Sequence, residues 1–327
     1  MKNIIIVTGG AGFIGSNLIK LLLKKTNFKI ISIDNYFSGN KKNHHLSKRV
    51  NYIKENTINI EKILIKNKKN VNAIFHFGEF SRIYQSFDNF QECMRSNTQG
   101  TQAVFKFCLD NKIKLIYSAT SATLGNKGND KNLSPYAFTK AKNLELLENL
   151  KKWFHFKYEI IYFYNVYGPG HIRSGKMSTV IGIFEDQYLR GKPLTVVRPG
   201  NQSRRFTHIS DTINTCYEAW KNNKSKHYSI SHKQSYSVFH VAKMFKSKIK
   251  YLKPRPGERY ASALTKISLN NHIIRRYGKI NLKDYIPLNI FHLFARYSLL
   301  MGNILLHQRN VQIYNRHQGK LIEFLIN

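Results

Sequence analysis

The chain has 327 residues, 42% of them apolar, enough to bury one large core or a core with a smaller lobe beside it. Cys93, Cys108 and Cys216 are an odd number set far apart, which excludes a disulfide framework or a structural zinc module and fits a reducing cytoplasm. The net charge of +35 taken alone suggests a nucleic-acid or anionic-membrane partner, but the lysines are dispersed (Lys66 to Lys69, Lys221 to Lys226, Lys246 to Lys250), so composition bias is the preferred reading and neither partner is expected.

Met1-Lys2-Asn3 runs straight into Ile4 to Val7 without the sections of a secretory signal, and the mature protein is expected to begin here. Short apolar runs then alternate with helix-length segments: Ile4 to Val7, Ser16 to Lys25, Lys29 to Ile33, Ala73 to Phe77, Asn97 to Asp110, Leu115 to Ser118, Tyr136 to Trp153, Glu159 to Phe163. That alternation predicts an α/β fold, a Rossmann-type doubly wound parallel sheet over residues 1–170 with a returning segment near 205–235. After Gly168-Pro169-Gly170 the pattern loosens, and Pro193, Pro199, Pro254, Pro256 and Pro287 break it into short pieces. Residues 171–327 therefore read mainly as a smaller C-terminal α/β substrate-binding lobe. From about Leu288 the tail holds Ile290, Phe291, Phe294, Leu299, Leu300, Ile304 and Leu305, interrupted by His292 and Arg296. It is too charged for a membrane span, and an amphipathic helix packed on its own lobe or on a partner subunit is the preferred reading.

Gly9-Gly10-Ala11-Gly12-Phe13-Ile14-Gly15 follows the first predicted strand and opens the first helix. Gly9 permits a tight turn, Gly12 lets backbone N–H groups approach a pyrophosphate, and Gly15 lets helix and strand pack closely. Asp34 ends the next strand about twenty residues on, where a carboxylate accepts from adenosine ribose hydroxyls and repels a 2′-phosphate, so NAD is favoured over NADP. Near the start of a later helix, Tyr136 and Lys140 lie four apart on one face. A lysine ammonium beside a phenol favours phenolate and makes a usable base near neutral pH.

With these pieces in place the chain resembles the extended short-chain dehydrogenase/reductase family, and within it the NAD-dependent nucleotide-sugar epimerases and dehydratases such as UDP-glucose 4-epimerase. The resemblance runs over roughly residues 4 to 285, through Thr8 to Gly15, Asp34-Asn35, His76-Phe77-Gly78-Glu79, Asn97 to Thr101, Tyr117 to Thr120, Tyr136 with Lys140, Asn165 to Pro169, Arg204 to Asp211, and Arg255-Pro256-Gly257-Glu258. It implies catalytic roles for Thr120, which would hydrogen-bond the reacting sugar hydroxyl, for Tyr136, which would exchange its proton, and for Lys140, which would hold the cofactor. By the same resemblance NAD is held by Gly9, Gly12, Phe13, Ile14, Gly15, Asp34, Asn35, Asn56, Thr57, Phe77, Gly78, Glu79, Asn97, Ser118, Tyr136, Lys140 and Tyr164. Ser81, Thr120, Asn165, Thr179, Val180, Arg204 and Arg255 would bind the nucleotide-diphosphate sugar, arginine being suited to phosphate oxygens. A homodimer is implied through the helices at Asn97 to Asp110 and Tyr136 to Trp153. Three residues depart from the family pattern: Asn56 where an Asp usually reads adenine, Arg205 in place of an Asp, which makes the phosphate end more positive, and Leu124 in place of a Tyr.

Among reactions, 4-epimerisation of a UDP-hexose through a transient 4-keto sugar needs one base, one positioned hydroxyl and a tightly held cofactor. A 4,6-dehydratase needs further acid and base groups, and Thr120 is followed by Ser121-Ala122-Thr123 with no carboxylate. The 4-epimerase is therefore the expected activity and the dehydratase its alternative. Glu79 is a candidate acid, and its place at a strand end favours a structural or cofactor-adjacent role. A third reading, a non-catalytic NAD-binding scaffold or nucleic-acid-binding protein, leaves Thr120, Tyr136 and Lys140 without a purpose. His44-His45 lie in a Lys-rich loop without nearby carboxylates and His208 in a strand-like segment, so solvent exposure or packing is the preferred reading and no metal is predicted.

Overall fold

The computed structural model describes residues 2–256 and 273–300. Gly257, Glu258, Ile304 and Leu305 lie outside the described residues, as do the side chains of Phe291, Phe294, Arg296, Leu299 and Leu300.

Eight strands form one sheet: β1 (Ile4–Thr8), β2 (Lys29–Asp34), β3 (Val50–Lys54), β4 (Val71–His76), β5 (Lys114–Thr120), β6 (Tyr158–Phe163), β7 (His227–Ser231) and β8 (Ile273–Tyr277). Their order is β8-β7-β6-β5-β4-β1-β2-β3, and every pairing is parallel. The doubly wound sheet expected from the sequence is therefore present, and the order reverses between β1 and β4, where such sheets bind ligands.

Period-two alternation along the strands sorts their side chains onto two faces. Ile4, Ile6, Ile31, Ile33 and Ile74 meet Val104, Phe105, Phe107 and Cys108 of helix Thr101–Asp110, together with Leu147 of helix Pro135–Phe154. Ile5, Val7, Ile30 and Phe75 point the other way, onto Leu18, Ile19 and Leu22 of α1 (Phe13–Lys25) and onto Ile209, Ile213 and Cys216 of helix Ile209–Asn222. Burial on both faces explains why these strands read as continuous apolar runs.

Several features differ from the sequence expectation. β3 had no predicted counterpart, because Asn51 and Lys54 interrupt its apolar residues at an outer strand that is only half-buried. The predicted helix from Asn97 instead begins with a wide π-helical turn over Arg95–Gly100. Nor does Pro287 interrupt the chain: it lies inside helix Leu282–Leu300. Leu282 and Ile286 are buried with Phe184, Leu194, Val196, Phe206 and Phe245 in a second core formed by segments after Val166. The gain from that apolar burial outweighs the single backbone donor that proline lacks.

Glu159, fully buried in β6, accepts backbone bonds from Ser225 and Lys226, both at 2.9 Å, and pairs with Lys114 at 3.2 Å. It ties β6, β5 and the turn before β7 together. Glu159→Ala is expected to cost about 3–5 kcal/mol, since it strands a buried ammonium and two N–H donors; urea unfolding reads the change directly.

Candidate active site

A cleft of about 500 Å³ opens over the carboxyl ends of β1, β2, β4, β5 and β6. Its floor begins at the turn between β1 and α1. Gly9 has φ +71°, and a Cβ there would meet the Phe77 carbonyl oxygen at 2.7 Å. At Gly15 a Cβ would meet the Gly9 oxygen at 2.2 Å, so only glycine lets the start of α1 lie against the turn. No side chain caps that helix start, and its backbone donors therefore face the cleft as a cradle suited to a pyrophosphate.

Asp34 closes the far end. One of its oxygens accepts from Ala11 N at 2.9 Å and the other from Tyr36 N at 2.8 Å. Burial pushes its carboxyl up, against the pull of those two donors. Asn35 donates to Glu92 at 3.2 Å, while Asn56 and Thr57 line the same end.

Near the middle, Ser134 accepts from Ala137 N at 3.1 Å and Pro135 occupies the first helical position, a strong start for helix Pro135–Phe154. Tyr136, Lys140, Asn143 and Leu147 are the buried stripe of that helix. Tyr136 packs among Phe80, Cys93, Ala122 and Ala137 and is only 8% exposed, at the cleft wall. Thr120 ends β5, where its hydroxyl accepts from Ala122 N at 3.2 Å.

Lys140 is gripped from below. Its ammonium donates to a carboxylate oxygen of Glu79 and to the Ser118 carbonyl, and it lies 4.7 Å from the centre of the Tyr117 ring. Glu79 in turn accepts from Thr101 and Tyr117 at 3.0 Å and from Asn143 at 3.2 Å, with its side chain only 2% exposed. Burial pushes the Lys140 ammonium down and the Tyr117 phenol well up, so Tyr117 stays neutral and donates.

The cleft thus brings together all but two of the predicted site residues. Gly9, Gly12, Phe13, Ile14, Gly15, Asp34, Asn35, Asn56, Thr57, Phe77, Gly78, Glu79, Ser81, Ser118, Thr120, Tyr136, Lys140, Asn165, Thr179, Val180, Arg204 and Arg255 all line it. Asn97 does not: it is fully buried, exchanging bonds with the Phe80 backbone at 2.6 and 3.1 Å, and so supports the wall from behind. Tyr164 does not either, being 2% exposed in the core with its hydroxyl accepting from Ser229 at 3.2 Å. Arg205 is also absent from the lining, and its carbonyl accepts from Asn165 at 2.8 Å. Thr179 caps helix Val180–Leu189 through Gly182 N at 3.1 Å, and the Arg255 guanidinium lies 5.3 Å from the centre of the Tyr84 ring. The sequence reading missed Arg82, which lines the cleft and bonds the Met177 carbonyl through Nε at 2.9 Å and Nη2 at 2.7 Å.

The histidines considered as metal ligands have other partners. His44 stacks on Tyr52 and bonds Tyr36, His45 bonds the Ser16 carbonyl, and His208 bonds Ser210. Among the described residues no group of three or more His, Cys, Asp or Glu is arranged to hold a metal, and no helix is long and apolar enough to cross a membrane.

The sequence profile of the NAD dependent epimerase/dehydratase family matches residues 5–231. The chain belongs to this NAD-dependent family. It is 33% identical over 226 residues to an uncharacterized UDP-glucose epimerase of Bacillus subtilis, covering 64% of this chain and 70% of that protein. With the ADP-L-glycero-D-manno-heptose-6-epimerase of Brachyspira hyodysenteriae it shares 31% identity over 256 residues, 74% of this chain and 80% of the relative. The fold is similar to that of a UDP-glucuronic acid 4-epimerase of Bacillus cereus solved with UDP-glucuronic acid and NAD, at a TM-score of 0.72 and 27% identity, covering 86% and 96% of the two chains.

His76 gives the site a pH dependence of its own. It is fully buried between the Thr8 hydroxyl at 2.7 Å and the Thr101 hydroxyl at 3.0 Å, and burial pushes its imidazole down to about 4. The unfolded chain takes up a proton at this residue below about pH 6.5 while the fold keeps it neutral, so stability is complete above that pH and falls as pH drops towards 4. Between pH 7 and 5 the loss through His76 is expected to be about 2 kcal/mol. Urea unfolding at both pH values, against His76→Asn, isolates it.

Proposed function

We propose that this family member inverts C4 of a nucleotide-diphosphate sugar, a UDP-hexose by preference, through a transient 4-keto sugar. One observation carries the reading: Thr120 and Tyr136 both line the cleft, and each carboxylate of the described lining is already engaged, Glu79 by Lys140, Asp34 by the Ala11 and Tyr36 backbone, Glu55 by Asn56 N and Glu92 by Asn35. Dehydration across C5 and C6 needs a further acid and base, and the described lining has no uncommitted carboxylate there to supply them.

NAD, when bound, supplies the hydride acceptor and donor at its nicotinamide. Its pyrophosphate would rest on the backbone of Gly12 to Gly15 and its adenosine half beside Asp34, Asn35, Asn56 and Thr57. Phe77, Gly78 and Ser118 would border the nicotinamide half. Two protons of the Lys140 ammonium are directed at Glu79 and the Ser118 carbonyl, and the third would be the one to donate to the nicotinamide ribose. Tyr136 takes the proton of the C4 hydroxyl and returns it after the keto sugar has turned over. Thr120 donates to a lone pair of the same oxygen, which turns its hydrogen towards Tyr136. Arg204, Arg255 and Asn165 would meet the diphosphate, with Ser81 nearer the sugar and Thr179 and Val180 at a helix N-terminus that favours anions. A homodimer paired through helices Thr101–Asp110 and Pro135–Phe154 belongs to the same proposal.

The test is incubation of the NAD-loaded protein with UDP-glucose, UDP-N-acetylglucosamine and UDP-glucuronate separately, with NMR of the products. Inversion at C4 of one of them is expected, with turnover about 100-fold lower or worse in Tyr136→Phe. A 4-keto-6-deoxy product would replace this reading with the dehydratase one.

A further inference from the structure

Lys140 is ordinarily the cation looked to for making the neighbouring phenol acidic. In this chain that charge is cancelled where it stands. The ammonium and the Glu79 carboxylate form a contact ion pair with both side chains at least 95% covered, and the carboxylate is fixed by Thr101, Tyr117 and Asn143. A neutral pair acts on Tyr136 only as a dipole, far more weakly than a lone cation.

A second cation, Arg82, lies near enough to Tyr136 for their charges to interact. Arg82 follows Phe80 and Ser81, and Phe80 packs directly on Tyr136. Met177 packs on the same cluster, and its carbonyl receives both Nε and Nη2 of Arg82. The remaining guanidinium bonds run to the Ser81 carbonyl at 3.0 Å and its hydroxyl at 3.3 Å. All these acceptors are neutral, and among the described residues no carboxylate lies within ion-pair distance of Arg82. The guanidinium is thus a held, uncompensated charge at the wall that carries the phenol.

We infer that Arg82, rather than Lys140, is the residue that poises Tyr136 as a base, and that Glu79 makes this necessary by neutralising Lys140. Arg82 is a positioning residue in this scheme, since it acts through the phenol. The inference rests on Tyr136 being the base of the proposed reaction. Burial lowers the affinity of Arg82 for its proton while the Tyr136 charge raises it, as mutual attraction between guanidinium and phenolate requires. Two further titratable groups near Tyr136 are held neutral. The Cys93 thiol, on the helix packed against it, is pushed up to about 11 by burial, and Tyr117 on β5 is likewise kept neutral. His76 behind Glu79 is neutral above about pH 4.

The test reads Tyr136 itself, so it does not depend on which sugar is turned over, or on any turnover at all. NAD-loaded protein labelled at the tyrosine ring carbon bearing the hydroxyl is titrated by NMR, with Tyr136→Phe to identify the signal. Arg82→Met is expected to raise the Tyr136 pKa by about one unit and Arg82→Lys to restore most of it, while Glu79→Gln lowers it by about one unit by freeing the charge of Lys140. Circular dichroism checks that each variant is folded. Should Arg82→Met fail to fold, Arg82→Gln and the Glu79→Gln shift carry the same comparison. An unchanged Tyr136 pKa in the folded Arg82 variants, or an upward shift in Glu79→Gln, overturns the inference. Loss of C4 inversion with these titration shifts intact would overturn only the proposed function.

Discussion

One close backbone approach is the constraint on which the other parts of the cleft depend: the start of α1 lies directly against the turn that ends β1. Gly15 and Gly9 touch through their main chains, and any side chain at Gly15 would drive the helix outwards. Ala11 sits in the same turn. Its N–H reaches Asp34, and its carbonyl accepts from Asn40 N at 3.0 Å and the Asn43 side chain at 2.8 Å. One tight turn therefore fixes where the uncapped start of α1, the Asp34 carboxylate and the loop after β2 stand relative to each other.

A second constraint works beneath the chemistry. The end of β4 carries a carboxylate, Glu79, into a place with almost no solvent, and the fold meets it with four side chains from β5 and the two helices of that face. Burying one member of this set without the rest would be strongly destabilising, so the set holds Lys140, Asn143, Tyr117 and Thr101 in a single arrangement. Asn97 continues the same support by bonding Thr139 and the Phe80 backbone, which aligns the strand end with the helix that carries Tyr136.

How much of this was legible in the sequence depends on whether the physical cause is local. The glycine turn, the acid at the end of β2 and the Tyr136 to Lys140 spacing each need only their neighbours, and each was readable. β3 and β8 are outer strands whose exposed positions carry Asn51, Lys54, Arg275 and Arg276, so their apolar pattern is diluted. Tyr164 and Asn97 looked like cleft residues because sequence order puts them beside strand ends, yet the direction in which each side chain points is settled by the core. Arg82 could not be singled out among 53 basic residues. The available signal was indirect: a charge between Phe80 and Ile83, three residues after an acid in an apolar strand end.

The distribution of the acidic residues gives the surface a particular character. The chain has only 18 of them against 53 lysines and arginines. Glu79, Glu159 and Glu185 are buried in internal pairs, and Asp34 is buried in its loop. Those groups organise the interior, and the outside keeps a cationic excess with few partners to offset it. Such a shell repels itself in all directions, so the fold carries a permanent outward electrostatic pressure that dissolved salt relieves, and the medium's ionic strength becomes part of what holds the molecule closed.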